Sequence, residues 1–312
     1  MFSKISIITT QSAFMGINDN KWLHVSVFYK MGIWNTLLFK CVHPFLLNTR
    51  KNGYLSRFLI HLNTERGENL RLSFQVKNDR AKEFLEEITG YLKTYMQACP
   101  SPDFMPVAPG TTFMMDFPAN SIFFRLHQCS QLPAPEMLVP DIHDFQYALS
   151  TAIIKAFETE EFEEGMITTF YSYTGLSFFA VYEEVRGDLT VITGLLLNRL
   201  EQIWNDKQIQ SMKKLFSIQK EELLETVAEC FSLKGTILEL DWLSAWRLSC
   251  REFIKTMISK VSPEYLNDAI LNGFDRIAQQ LNLSERTKML NWMLLKAISD
   301  FIETREGIRP AF

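Results

Sequence analysis

Residues 54–76 read YLSRFLIHLNTERGENLRLSFQV. Two apolar-rich runs flank a polar segment, Asn63-Thr64-Glu65-Arg66-Gly67-Glu68. Within the runs, large apolar residues alternate with His61, Asn69, Arg71 and Ser73, the period of strands with one buried face. The pattern predicts two strands, 55–62 and 69–76, joined by a turn. Upstream, residues 22–30 (WLHVSVFYK) alternate as well. Trp22, His24, Ser26 and Phe28 fall on one face of that strand, and Leu23, Val25, Val27 and Tyr29 on the other. Between the strands, Ile33, Leu37, Cys41 and Phe45 recur at helical spacing, which predicts an amphipathic helix over 33–47 that ends or kinks near Pro44. A second helix is expected over 79–95, capped by Asp79, with Phe84, Ile88 and Leu92 as its apolar stripe.

Further along, residues 98–110 (ACPSPDFMPVAPG) are a loop by composition. Strands are expected at 112–117 and 121–128, around Pro118-Ala119-Asn120. Residues 131–140 (QLPAPEMLVP) carry three prolines and make the best linker. Everything after Asp141, a plausible cap, reads as helix: a stretch containing Phe145, Leu149 and Ile153, then 166–183, 190–205, 208–232, 240–260 and 284–304. Ser262-Pro263-Glu264 is a helix-start signal, with a cap, a first-turn proline and an early acid. The expected fold class is α+β: a mixed or antiparallel sheet with covering helices over 1–130, then a helical part over 141–312. One integrated domain is the alternative.

The chain has 312 residues, 47% hydrophobic and 22% charged, which suits a folded protein with a full core. A net charge of −4 argues against a duplex DNA binder. No apolar run reaches the roughly 18–20 residues of a membrane span. The N-terminal MFSKISIITTQSAFMG reads as a mature terminus, not a signal peptide. Five scattered cysteines without CxxC spacing argue against structural zinc and a disulfide framework, so a cytoplasmic location is expected. The acidic run ETEEFEE (158–164) reads as a solvated turn. No motif for a phosphate loop, a zinc protease or a nucleophile elbow occurs, and neither cofactor nor metal is expected.

The hairpin, the strand at 22–30 and the Val42-His43-Pro44-Phe45 step together resemble the family related to the C-terminal, glutamate-eliminating domain of lantibiotic dehydratases, which includes thiopeptide-type bacteriocin biosynthesis proteins. Arg71 matches the first Arg of the family's basic strand and Phe74 its closing aromatic. Asn69 stands at the family's His, Ser73 at its second Arg, and His61 at the Arg of an Arg-Tyr pair. Phe124-Arg125-Leu126-His127 is the nearest match to a second Arg motif. Asn198-Arg199-Leu200 matches a third, without the His that precedes it in the family.

The resemblance implies maturation of a ribosomally made precursor peptide beside a separate glutamylating dehydratase. The reaction implied first is loss of glutamate from glutamylated Ser or Thr. Such an elimination needs a base for the α-proton, a cation for the departing carboxylate and a stabiliser for the enolate oxygen. The catalytic candidates are His61 as base and Arg71 and Arg125 as cations. Asn69, Ser73, His127 and Arg199 are candidates for binding substrate, with His127 also a second base. Alternation places Asn69, Arg71 and Ser73 on one strand face and Arg125 with His127 on another. The bland reading is a solvent-facing strand side for Arg71, a polar strand face beside the linker for Arg125 and His127, a satisfied, half-buried strand histidine for His61, and for Arg199 a cap on a neighbour's carbonyls or an ion pair with Glu183 or Glu184. Two other activities fit the scaffold: a pyridine-forming cycloaddition of two dehydroalanines, or non-catalytic binding of a leader peptide or partner enzyme. Homo-oligomerisation is left open. His61, Arg71 and Arg125 are expected to converge on one concave surface.

Overall fold

The computed structural model describes residues 20–102, 117–127, 135–158, 163–232, 241–283 and 285–307. Its N-terminal part is a four-stranded antiparallel sheet in the order β2-β3-β1-β4, with β1 Asn20–Phe28, β2 Leu55–Asn63, β3 Asn69–Lys77 and β4 Ser121–Phe124. The hairpin lies within one residue of expectation. Its turn places Arg66 and Gly67 at positive φ, 59° and 112°. Glycine takes that conformation without penalty. Asn63 Oδ1 braces the turn by accepting from Glu65 N at 2.9 Å and Asn69 Nδ2 at 3.0 Å.

One sheet face is apolar: Val25 and Val27 of β1, Phe58, Ile60 and Leu62 of β2, and Leu70, Leu72, Phe74 and Val76 of β3 are all buried. Helices α1 (Trp34–Leu37), α2 (His43–Lys51) and α3 (Ala81–Ala98) cover it. Phe84 of α3 packs on Phe74 and Phe45 with ring centroids 5.1 and 5.2 Å apart. Between α1 and α2, residues Leu38–Val42 widen into a π turn. Pro44 explains it, because the ring has no N–H and crowds the carbonyl four residues back. The expected kink is therefore a π turn inside a helical run.

The C-terminal part is helical: α4 Val139–Ala156, α5 Glu164–Arg186, α6 Thr190–Glu201, α7 Asp206–Ser232, α8 Asp241–Lys260, α9 Pro263–Gln280 and α10 Glu285–Gly307. The α+β expectation holds. Several details differ. Strand β4 ends at Phe124, because Arg125 takes φ 61°, which a strand cannot continue. Residues 112–116 and 131–134 of the expected strand and linker lie outside the described set. From Glu136 onward the expected linker is already helical, with Pro140 in the first turn of α4. Asp79 and Asp141 are not caps: α3 and α4 have Arg80 and Leu138 at their N-cap positions, without side-chain cap hydrogen bonds.

Helix α4 shields the β2 edge. Ile60 N donates to Ser150 Oγ at 2.9 Å, and Gln280 Nε2 of α9 donates to the same oxygen at 2.7 Å. Arg57 of β2 forks onto both carboxylate oxygens of Asp144. An edge N–H and a buried hydroxyl thus satisfy each other in a strip that water does not reach. Deeper in the helices, Phe145 stacks on Phe253 at 4.3 Å. Gly273 of α9 sits against that ring: a Cβ there would stand 2.6 Å from Phe253 Cε1. Gly273→Ala is expected to force α8 and α9 apart and cost about 1–3 kcal/mol by overpacking. An unchanged denaturation midpoint would refute the close packing.

Candidate polar site on the sheet

The second sheet face carries the sequence candidates. The register places His61 of β2 directly across from Arg71 of β3, and Arg71 directly across from Ser26 of β1. One pair along, Ser73 lies opposite His24. Paired strands bring same-face side chains together. This face is not a solvated strand side. Ser73 is fully buried, Ser26 and Asn69 are 1% exposed, and His61 is 8% exposed.

His127 joins the face although it lies beyond β4. Arg125 N still donates to His24 O at 3.1 Å, and the left-handed turn at Arg125 then folds the chain back. His127 Nδ1 lies 3.0 Å from Ser26 Oγ, and its Nε2 lies 3.1 Å from Ser73 Oγ. Ser73 Oγ also lies 2.9 Å from His24 Nδ1. The rings of His24 and His127 meet edge to face, with centroids 5.2 Å apart. At the hairpin end, Phe28, Phe117 and Phe123 form an aromatic patch, with the closest centroids 4.3 Å apart.

Burial sets the electrostatics. Desolvation, then the Arg71 and His24 charges, push His61 down to about 3. Desolvation, then His24, His61 and Arg71, push His127 down to about 2. His24 is lowered by burial alone. All three imidazoles are therefore neutral at working pH. His61 Nδ1 is buried with no hydrogen-bond partner among the described residues. Arg71 Nη2 reaches Glu65 Oε2 at 3.0 Å, and Glu65 is 71% exposed. That surface-type pair contributes only about 0–1 kcal/mol, so a ligand carboxylate or carbonyl can displace it.

The structure thus gathers His61, Arg71, Ser73 and His127. Asn69 shares the face, but its amide donates into the turn, to Gly67 O at 2.7 Å, and so braces the hairpin. Arg125 is exposed past the end of β4, and its backbone N–H is tied to β1. Arg199 stands elsewhere, on α6, paired with Asp275 of α9 at 3.9 Å. Glu183 and Glu184 are taken by Arg305, Arg247 and Arg251 instead. His24 and Ser26 were missed as site residues. Their signal was their shared face on β1, which had no meaning until β1 was known to neighbour β3.

A cavity of about 650 Å³ opens at the same end of the hairpin, lined by Trp34, Leu62, Asn63, Thr64, Met289 and Met293 among others. Asn63 belongs to both the turn and the cavity. Among the described residues, no three His, Cys, Asp or Glu side chains gather to hold a metal ion. Cys41, Cys99, Cys230 and Cys250 are free thiols, and no described helix is long and apolar enough to cross a membrane.

No protein-family model matches the chain, and no curated protein does. Solved structures do match. The pyridine synthase TbtD from thiomuracin biosynthesis superposes with TM-score 0.68 at 14% identity, over 91% of this chain and 99% of that one. TsrL superposes with TM-score 0.61 at 8% identity, over 94% and 100%. The tRNA-dependent lantibiotic dehydratase MibB from Microbispora sp. 107891 gives TM-score 0.58 at 12% identity, over 95% of this chain but 29% of that much longer one. The chain has the fold common to these proteins, as its hairpin resemblance implied.

Proposed function

We propose that the protein modifies a ribosomally made, dehydrated precursor peptide on the polar sheet face, and that the modification is a pyridine-type cyclisation of two dehydroalanines. The observation that carries this reading is the neutral imidazole cluster beside Arg71. A histidine pushed down to about 3 is a weak base. It has little driving force to take a proton from carbon, because general-base catalysis works best when the pKa lies near the operating pH. The same imidazoles, fixed and desolvated, serve well as hydrogen-bonding groups that orient alkenes and polarise an amide carbonyl. The end-to-end likeness to a pyridine synthase supports the reading.

Glutamate elimination is the second reading, and Arg71 is the observation in its favour. Its planar fork matches a departing carboxylate in two-point geometry, which Lys does not reproduce. Under either reading the partners are a precursor peptide and, upstream, an enzyme that dehydrates or glutamylates it.

The two readings separate with two substrates. One is a peptide carrying two dehydroalanines, and the other carries a glutamyl ester on Ser. Incubated with purified protein and followed by mass spectrometry, the first should be consumed to a lighter product: ring closure expels the carbonyl oxygen as water, and aromatisation then expels the amide nitrogen of the second dehydroalanine together with the peptide segment attached to it. The second should keep its glutamate. Loss of glutamate from the second with the first untouched would transfer the site to elimination. Tight binding of both without turnover would leave a binding protein.

A further inference from the structure

Resting on the reading that the polar face is the site, we infer that the hydrogen-bonded chain Ser26–His127–Ser73–His24 locks His24 in one tautomer and presents its Nε2–H as a neutral donor to a peptide carbonyl oxygen of the substrate. The argument is one of counting hydrogens. A neutral imidazole carries one N–H and one bare nitrogen, and a hydroxyl carries one hydrogen. Ser73 Oγ sits between His24 Nδ1 and His127 Nε2, so it donates to one ring and accepts from the other. His127 likewise donates at one nitrogen and accepts at the other. Only two directions of the chain are self-consistent.

In the first direction, Ser26 donates to His127 Nδ1, His127 Nε2–H donates to Ser73, and Ser73 donates to His24 Nδ1. Every donor inside the chain then has an acceptor. The single hydrogen left over is His24 Nε2–H, on a partly exposed residue at the outer end. In the reverse direction, the leftover hydrogen is the hydroxyl of Ser26. That residue is 1% exposed, and His127 is its only side-chain hydrogen-bond partner among the described residues. A buried donor without an acceptor loses its full hydration, whereas a donor at the mouth of the site meets water or substrate. The first direction wins on that asymmetry.

Position gives the donor its use. His24 and Arg71 flank Ser26 and Ser73 on one face, so a carbonyl oxygen over these residues meets one neutral donor and one cation. Such a pair stabilises charge that develops on oxygen without consuming a proton. In this role His24 contacts substrate, while Ser73, His127 and Ser26 are positioning residues that act through it.

The test reads the tautomer directly and needs no substrate. The chain has five histidines, so labelling histidine with ¹⁵N gives five ring systems to follow by long-range ¹H–¹⁵N correlation. The wild-type protein at neutral pH should show His24 with a protonated Nε2 and a bare Nδ1. In Ser73→Ala the two nitrogen resonances should collapse toward a mixed average. His127→Gln, whose amide can still donate to Ser73, should retain the fixed tautomer, and His127→Ala should not. A wild-type His24 protonated at Nδ1 would overturn the inference, and so would a tautomer unchanged in a folded Ser73→Ala. If the variants fail to fold, the wild-type resonances alone decide. Failure of the functional reading shows up separately, as no turnover of dehydrated peptide, and leaves the tautomer result standing.

Discussion

Lowering the pH from 7 to 5 should remove about 4 kcal/mol of stability through His61 and His127. His61 and His127 are held down at about 3 and about 2 in the folded chain and return to ordinary values near 6.5 on unfolding. A depressed folded-state pKa means that the unfolded state binds the proton first. The stability conferred by the neutral folded state is complete above the unfolded pKa and is lost as the pH falls below it. Each group then contributes a slope of about 1.4 kcal/mol per pH unit, and neither folded imidazole titrates within this window. His143, pushed down to about 4, adds in the same direction by a smaller amount because it is more exposed. Against a typical stability of about 5–15 kcal/mol the loss is large. Urea denaturation at the two pH values measures it. Equal midpoints would show that the cluster is hydrated in solution, and the neutral-donor argument would fall with it.

Arg71→Ala should lower turnover about 10²–10³-fold, the usual cost of removing a fixed donor at a developing charge. It should barely change stability, since the only described partner of Arg71 is the exposed Glu65. Arg71→Lys should recover part of the rate, because the charge returns without the planar fork. One accompanying shift is specific to this geometry. Arg71 is a cause of the depression at both His61 and His127, so both should titrate higher in Arg71→Ala. Retained turnover with unshifted histidines would remove Arg71 from the site.

Much of the fold could be read from single-sequence periodicity, and the reasons are local. The hairpin came out nearly in register because alternation and a glycine turn are short-range signals. The irregularity near Pro44 was legible because proline acts on its own helix. Helix starts at 79 and 141 were misplaced because a good capping residue type does not ensure that the chain enters the helix there. The site was legible in part. His61 and Arg71 pair across a hairpin whose register the turn sets, so their proximity followed from sequence. His24 and Ser26 did not follow, because β1 neighbours β3 only through the non-local strand order β2-β3-β1-β4. His127 was expected on a strand face, yet it arrives by a left-handed turn at Arg125, a residue type that gives no warning of one. Burial of the polar face was hidden for a similar reason. Alternating polar residues usually mark solvent, and here His24, Ser26, Ser73 and His127 satisfy one another across two strands and a turn.

The dependence of kcat/KM on pH, measured between pH 6 and 9 with the bis-dehydroalanine peptide, tests most directly whether this face works by hydrogen bonding from neutral imidazoles. The profile of kcat/KM reports essential acids and bases of the free enzyme. The account predicts a level profile, because His61 and His127, held down at about 3 and about 2, do not change charge in that range. A rate that climbs through a midpoint near 6.5 and loses that climb in His61→Ala would contradict it, and would make His61 a proton-abstracting base.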